Sequence, residues 1–175
     1  MPWPTAPAPL GAPRPRPGWR HSATRRCAAQ LAIEFGVAEL AVFDRLPSVP
    51  TAAGTALAFA VAPAASPAWR TQAAAWLAAL GFAPLRIADA PGLVVARTVA
   101  MLINEAADAV QQGVCTPEAA DAAMKLGVNY PAGPFEWLAG WSAAGAIGVL
   151  DALDAHYRGE RYRVSPWLHH ASRPA

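Results

Sequence analysis

Charge, cysteine and a glycine-rich loop are what this chain has least of. Only 15% of its 175 residues are charged and the net charge is +2, with arginines gathered only as Arg14, Arg16, Arg20, Arg25 and Arg26 near a proline-rich start. Such a chain offers nucleic acid no continuous basic face, so no nucleic-acid partner is expected. Its two cysteines, Cys27 and Cys115, lie far apart, and nothing beside either resembles a metal-ligand set or a redox pair. Two reduced thiols are expected, with no metal. No apolar run reaches the roughly 18 residues that cross a bilayer, and proline fills the N-terminus where a signal peptide needs an apolar core. A soluble cytoplasmic protein without a membrane partner is the expectation. Also missing is any G-x-G-x-x-G, the turn that brings a backbone and a helix N-terminus up to a pyrophosphate. Gly36, Gly54 and Gly81 each stand alone and read as helix stops and turns, so no dinucleotide is expected to bind this chain.

What is present is apolar: 54% of the residues are hydrophobic, many of them alanine. Alanine favours helices but buries little area, so the core must rest on a few large side chains. The length allows one ordinary domain with a small companion. Residues 1–21 carry Pro2, Pro4, Pro7, Pro9, Pro13, Pro15 and Pro17, which remove backbone donors at nearly every second position and predict a disordered tail. Residues 22–88 read as a small α/β region. A helix is expected from Thr24 to Phe35 with Gly36 as its stop, and short strands at Leu40 to Phe43, closed by Asp44, and at Ala56 to Val61. Ser66 and Pro67 form an N-cap and first-turn pair for a helix through Leu80, stopped by Gly81. A last strand is expected at Leu85 to Ala88, giving a small parallel or mixed sheet.

From Asp89 to Leu168 the pattern is helical. The turn Asp89-Ala90-Pro91-Gly92 feeds a long helix over residues 93–112 ending at Gly113. Thr116 and Pro117 open a second helix, with Glu118 placed to favour its dipole and Gly127 as its stop. Asn104 and Glu105 read as a polar pair that fixes helix packing, and Asp121 as a surface residue. A rigid turn from Asn129 to Glu136 feeds a short helix at Pro134. Ser142 caps a last long helix with Ile147, Leu150, Leu153 and Tyr157 on one face and Gly159 as its stop. Residues 161–168, RYRVSPWL, read as a tail, followed by a terminal stretch at 169–175. Four or five helices make the fold class mainly α, a C-terminal helical bundle after a small degenerate α/β region.

The motifs DAPGLVVAR, NEAADAVQQGV, CTPEAADAAMKLG and NYPAGPFEW, followed by RYRVSP, resemble the C-terminal helical domain of the 3-hydroxyacyl-CoA dehydrogenase family. The likeness covers roughly residues 85–168 and implies a bundle of the type shared with 6-phosphogluconate dehydrogenase. Closer still, the wording resembles the second helical domain of the longer bacterial enzymes of phenylacetate degradation that act on 3-hydroxyadipyl-CoA. There a duplicated helical domain follows a degenerate spacer, which residues 22–88 resemble. The resemblance implies NAD-dependent oxidation of a 3-hydroxyacyl-CoA to the 3-ketoacyl-CoA in the full-length family, for which this chain is too short.

Hydride removal from a secondary alcohol needs a base, an orienter for that base and a nicotinamide against the carbon. In the family a His-Glu pair of the nucleotide domain supplies the first two, and an asparagine in the helical domain holds the substrate oxygen. Here that position is Ala96, whose methyl cannot hydrogen-bond. His21, His156, His169 and His170 have no glutamate at the family's spacing, and no catalytic residue is assigned. The resemblance implies a wall of an acyl-CoA cleft at Ala96, Arg97, Tyr130, Pro131, Gly133, Pro134 and Phe135. It also implies a dimer interface on the first long helix at Met101, Leu102, Asn104 and Glu105. The expected function is thus the substrate and dimerisation domain of a 3-hydroxyacyl-CoA dehydrogenase, inactive alone. The alternative is a non-catalytic helper that binds acyl-CoA or associates with a full dehydrogenase.

Overall fold

The computed structural model describes residues 25–44 and 52–172. The expected disorder of residues 1–21 lies outside them. Helix α1 (Ala28–Phe35) closes at Gly36, whose φ of 63° puts it in the left-handed region. It starts four residues later than the apolar spacing predicts, because the carboxylate of Asp89 accepts from the amides of Ala28 (2.7 Å) and Ala29 (2.8 Å) and fixes the first turn there. Strand β1 (Ala41–Phe43) pairs antiparallel with β2 (Thr55–Val61), and β2 pairs parallel with β3 (Phe82–Arg86). The sheet is mixed, in the order β1-β2-β3. Helix α2 (Pro67–Ala79) bridges the parallel pair, with the Ser66 hydroxyl accepting from the Trp69 amide as the sequence predicts.

The last strand lies earlier than expected. It begins directly after Gly81, whose φ is 90°, and runs through Pro84. An edge position makes this tolerable, since a strand paired on one side has amides that need no ladder partner. Alternate residues of β2 face opposite layers. Leu57 and Phe59 pack with Ala73 and Leu77 of α2, whereas Ala60 packs with Ala28, Val42, Ala62 and Leu93 on the other side.

The helical part comprises α3 (Val95–Gln111), α4 (Pro117–Val128), α5 (Pro134–Trp141), α6 (Ala143–Tyr157), a 3-10 turn (Glu160–Tyr162) and α7 (Pro166–Ala171). Its core joins Ala100, Ile103 and Ala107 of α3 to Leu138, Ala146, Val149, Leu150, Leu153, Tyr162 and Leu168. Burying each of the larger aliphatics stabilises by about 1.5–3 kcal/mol. Three expectations change here. Helix α4 runs through Gly127 and ends at Asn129, which takes the left-handed conformation (φ 56°) in glycine's place. The buried stripe of α6 is Ala146, Val149, Leu150 and Leu153, with Ile147 only partly covered and Tyr157 exposed. Residues 161–168 are not a tail: Tyr162, Ser165 and Leu168 are buried, and α7 carries the chain past residue 168.

The two parts interlock. Arg25 donates to the Ala144 carbonyl of α6 (2.9 Å), and its side chain lies over Gly148, where an added Cβ would come within 2.2 Å of Nε. Leu93, at the start of the helical part, completes the α/β cluster.

Candidate functional site

The first turn of α3 carries Ala96 and Arg97. Its N-cap is Val94, which has no capping side chain, and the turn holds no acid of its own. The orphan amides of a helix start must be satisfied from elsewhere. Asp44, at the end of β1 and 2% exposed, does so: its carboxylate accepts from Val94 (2.8 Å), Val95 (2.7 Å) and Ala96 (3.2 Å). The approach is tight because Leu93 has φ 40° and Gly92 φ 70°. A Cβ on Gly92 would lie 3.1 Å from the Arg97 amide and 3.2 Å from Val149 Cγ1. Ala96 is 1% exposed, so its methyl contributes to packing and presents no polar group.

Arg97 sits one residue on and is partly exposed. It donates to the hydroxyls of Tyr157 (3.2 Å) and Tyr162. Its guanidinium also lies over both rings, 4.8 Å and 5.4 Å from their centroids. Sequence reasoning does not reach Tyr157 and Tyr162 as partners of Arg97, although the RYR run that holds Tyr162 is the available signal.

The turn at residues 130–135 is built around Asp121. This residue is buried rather than on the surface, and its carboxylate accepts from the amides of Phe135 (2.8 Å) and Glu136 (3.2 Å) at the start of α5. Gly133 lets it in: a Cβ there would lie 2.3 Å from the Asp121 carboxyl carbon. Glu136 returns to accept from the Gly133 amide (2.9 Å) and pairs with Lys125. Lys125 first, and then that amide, hold its carboxyl below the usual range. Tyr130 lies tilted on Trp137 (5.7 Å), and Phe135 meets Trp167 edge-on (5.2 Å). Pro134 is buried and Pro131 exposed. The hydrogen bonds of Arg97 run to Tyr157 and Tyr162, whereas those that build this turn run to Asp121 and Glu136.

Of the expected interface residues, Met101 packs partly into the helical core and Leu102 is half-buried, whereas Glu105 is exposed. Asn104 is committed inside the chain. It is 2% exposed, donates to the Arg163 carbonyl (2.9 Å) and accepts from the Ser165 amide (2.8 Å). The packing role expected of the Asn104–Glu105 pair thus falls to Asn104.

Among the described residues, groups for hydride chemistry are not brought together. His156 lies against Tyr157 (4.7 Å), and His169 and His170 are exposed at the end of α7; His21 lies outside the described residues. Burial pushes the Cys27 thiol above its usual range, which keeps it protonated and unreactive. Among the described residues no set of three His, Cys, Asp or Glu side chains could hold a metal. A dinucleotide does not fit the starts of α1, α2 or α3 either. The N-terminus of α1 holds the Asp89 carboxylate, that of α3 holds Asp44, and that of α2 is closed by Ser66 and Pro67. A pyrophosphate would meet negative charge at two of these positions. Among the described residues no helix is long and apolar enough to cross a membrane.

Comparison with known proteins gives two family matches along the chain. Residues 92–173 match the family described as 3-hydroxyacyl-CoA dehydrogenase, C-terminal domain. Residues 24–91 match the 3-hydroxybutyryl-CoA dehydrogenase reduced Rossmann-fold domain. The chain is similar to a 3-hydroxyadipyl-CoA dehydrogenase of Escherichia coli, with 53% identity over 81 residues, 45% of this chain and 17% of that protein. It is 37% identical over 89 residues to a probable 3-hydroxybutyryl-CoA dehydrogenase of Deinococcus radiodurans, covering 51% of this chain and 32% of that one. The crystal structure of 3-hydroxybutyryl-CoA dehydrogenase from Escherichia coli K12 superposes with a TM-score of 0.75 and 36% identity, over 85% of this chain and 30% of the other. The chain thus spans less than a third of the length of these relatives.

Proposed function

The chain belongs to the 3-hydroxyacyl-CoA dehydrogenase family, and on that premise we propose that it supplies the family's helical substrate and dimerisation half without turning over substrate alone. The observation that carries this reading is the start of α3. Where the family places an asparagine for the substrate oxygen, this chain has a buried Ala96 whose amide is taken by Asp44. With no base-orienter pair beside it among the described residues, the reaction would need a nucleotide domain from another polypeptide segment. The helical part is read as a bundle of the type shared with 6-phosphogluconate dehydrogenase, and the acyl-CoA wall as Ala96, Arg97 and the turn from Tyr130 to Phe135. Similarity to a 3-hydroxyadipyl-CoA dehydrogenase favours a dicarboxylic acyl-CoA, as in phenylacetate degradation, and two free cysteines suit the cytoplasm.

The test is NADH formation by the purified chain from 3-hydroxybutyryl-CoA and 3-hydroxyadipyl-CoA, with acyl-CoA binding followed by calorimetry. Binding without turnover is expected; turnover by this chain alone refutes the reading. A second reading, a helper that associates with a complete dehydrogenase or with its own copy, is favoured by exposed apolar side chains. Val114 after α3 is 74% exposed and Leu126 in α4 is 87% exposed. Sedimentation of the chain alone and with a full-length relative tests it, and a strictly monomeric chain in both runs excludes it.

A further inference from the structure

At the junction of α3, α6 and the 3-10 turn, two guanidinium groups converge on one aromatic ring. Arg97 lies with its central carbon 5.4 Å from the Tyr162 ring centroid, and Arg161 lies 5.9 Å from the same centroid. The Tyr157 ring stands 5.6 Å from that of Tyr162 and is 44% exposed. Among the described residues neither Arg97 nor Arg161 forms an ion pair, although Arg26, Lys125 and Arg163 all do. Glu160 is adjacent to Arg161 in sequence and still makes none.

Two of the five N–H groups of Arg97 go to tyrosine hydroxyls, and among the described residues no carboxylate pairs with the guanidinium. The Tyr157 hydroxyl accepts from Arg97, which leaves its own proton free to be donated outward. Like charges held against one ring repel, and cation–π attraction of about 0.5–1 kcal/mol at an exposed site recovers little of that. The cluster is therefore built from donors of a single sign, partly open to solvent and lacking its complement. A guanidinium fork is the geometry that oxyanions, phosphate above all, satisfy in bidentate fashion.

We propose that Arg97, Arg161 and the Tyr157 hydroxyl form a phosphate-binding site on this chain. The proposal rests on the acyl-CoA reading only in naming the coenzyme A phosphates as the source, and free inorganic phosphate presents the same chemistry. Arg163 does not belong to the site, because Asp108 neutralises it at 2.8 Å.

Calorimetry of the full chain with butyryl-CoA, butyryl-pantetheine and inorganic phosphate tests this. Arg161→Gln should weaken butyryl-CoA about tenfold and abolish phosphate binding, while butyryl-pantetheine, which carries no phosphate, binds unchanged. Arg97→Lys, which keeps the charge but loses the fork, should give the same phosphate loss, and circular dichroism confirms that both variants remain folded. Raising the salt to about 0.5 M should weaken butyryl-CoA but not butyryl-pantetheine. Butyryl-CoA binding that is equal in wild type and both variants overturns the site and leaves the acyl-CoA reading standing. Phosphate binding that the variants lose, with no butyryl-CoA binding, leaves the site standing and removes the acyl-CoA reading. Failure of the wild type to bind either overturns both.

Discussion

Single side chains, each reaching across sequence to satisfy backbone groups, decide much of this molecule. Asn104 is the clearest case, since it ties α3 to the segment before α7 by pairing with the Arg163 carbonyl and the Ser165 amide. Replacing it with the near-isosteric leucine leaves the buried Ser165 amide and the part-buried Arg163 carbonyl without this partner, so Asn104→Leu should cost about 2–3 kcal/mol in urea denaturation. A loss below about 0.5 kcal/mol would mean that water replaces the amide. Gly133 makes the complementary argument from space. Its φ of −83° is open to any residue, so its need for glycine is steric. A methyl there would sit 2.3 Å from the Asp121 carboxyl carbon and push away the cap of α5. Gly133→Ala should therefore destabilise by about 2 kcal/mol, of the size of a lost cap. In an Asp121→Ala background most of that cost should vanish, and additive costs in the double-mutant cycle would reject the mechanism.

Helix by helix, what could be read in advance followed one rule: local signals were legible and tertiary ones were not. Ser66-Pro67 and Thr116-Pro117 are contiguous caps, and α2 and α4 start where those pairs predict. Helices α1, α3 and α5 are capped by Asp89, Asp44 and Asp121, residues 60, 50 and 14 positions or so away, and no local pattern announces such partners. For the same reason the candidate site was half visible. Ala96 and Arg97 followed from a motif, whereas Tyr157 and Tyr162 come to Arg97 only when α6 folds back onto α3. The α4–α5 corner also has a pH dependence. Its Lys125–Glu136 pair is exposed, the partners holding the lysine above its usual range and the carboxyl below. A carboxyl lowered on folding stabilises the protein above its ordinary value of 4.5, and this is lost as pH falls through the lower folded-state value. Glu136→Gln keeps the bond to Gly133 but removes the charge. Its urea midpoint should lie slightly below wild type near neutral pH, and the difference should close on acidification below 4.5. A difference that persists unchanged in acid would show that the ion pair contributes nothing.

At the scale of the whole molecule, the question is whether the α/β part is a detachable spacer or belongs to the folding unit of the helices. The cluster facing α1 is built of Ala28, Val42, Ala60, Ala62 and Leu93, mostly alanine, which buries too little area to hold a three-stranded sheet by itself. One of its largest members, Leu93, comes from the helical side. Asp44 gives the α/β part's carboxylate to α3, Asp89 gives the linker's carboxylate to α1, and Arg25 bonds to α6. Each part thus supplies what the other lacks, and the two should unfold in one transition. Asp44→Ala removes the carboxylate that accepts from three amides at a site that is 2% exposed, and it should cost about 2–3 kcal/mol. The more telling readout is hydrogen exchange. Loss of this bond should speed exchange in β2 as well as in α3, because the sheet loses its anchor when the helix start frays. Faster exchange confined to the first turn of α3, with β2 unchanged, would show that residues 25–88 and the bundle fold independently, and that the carboxylate is only a local cap.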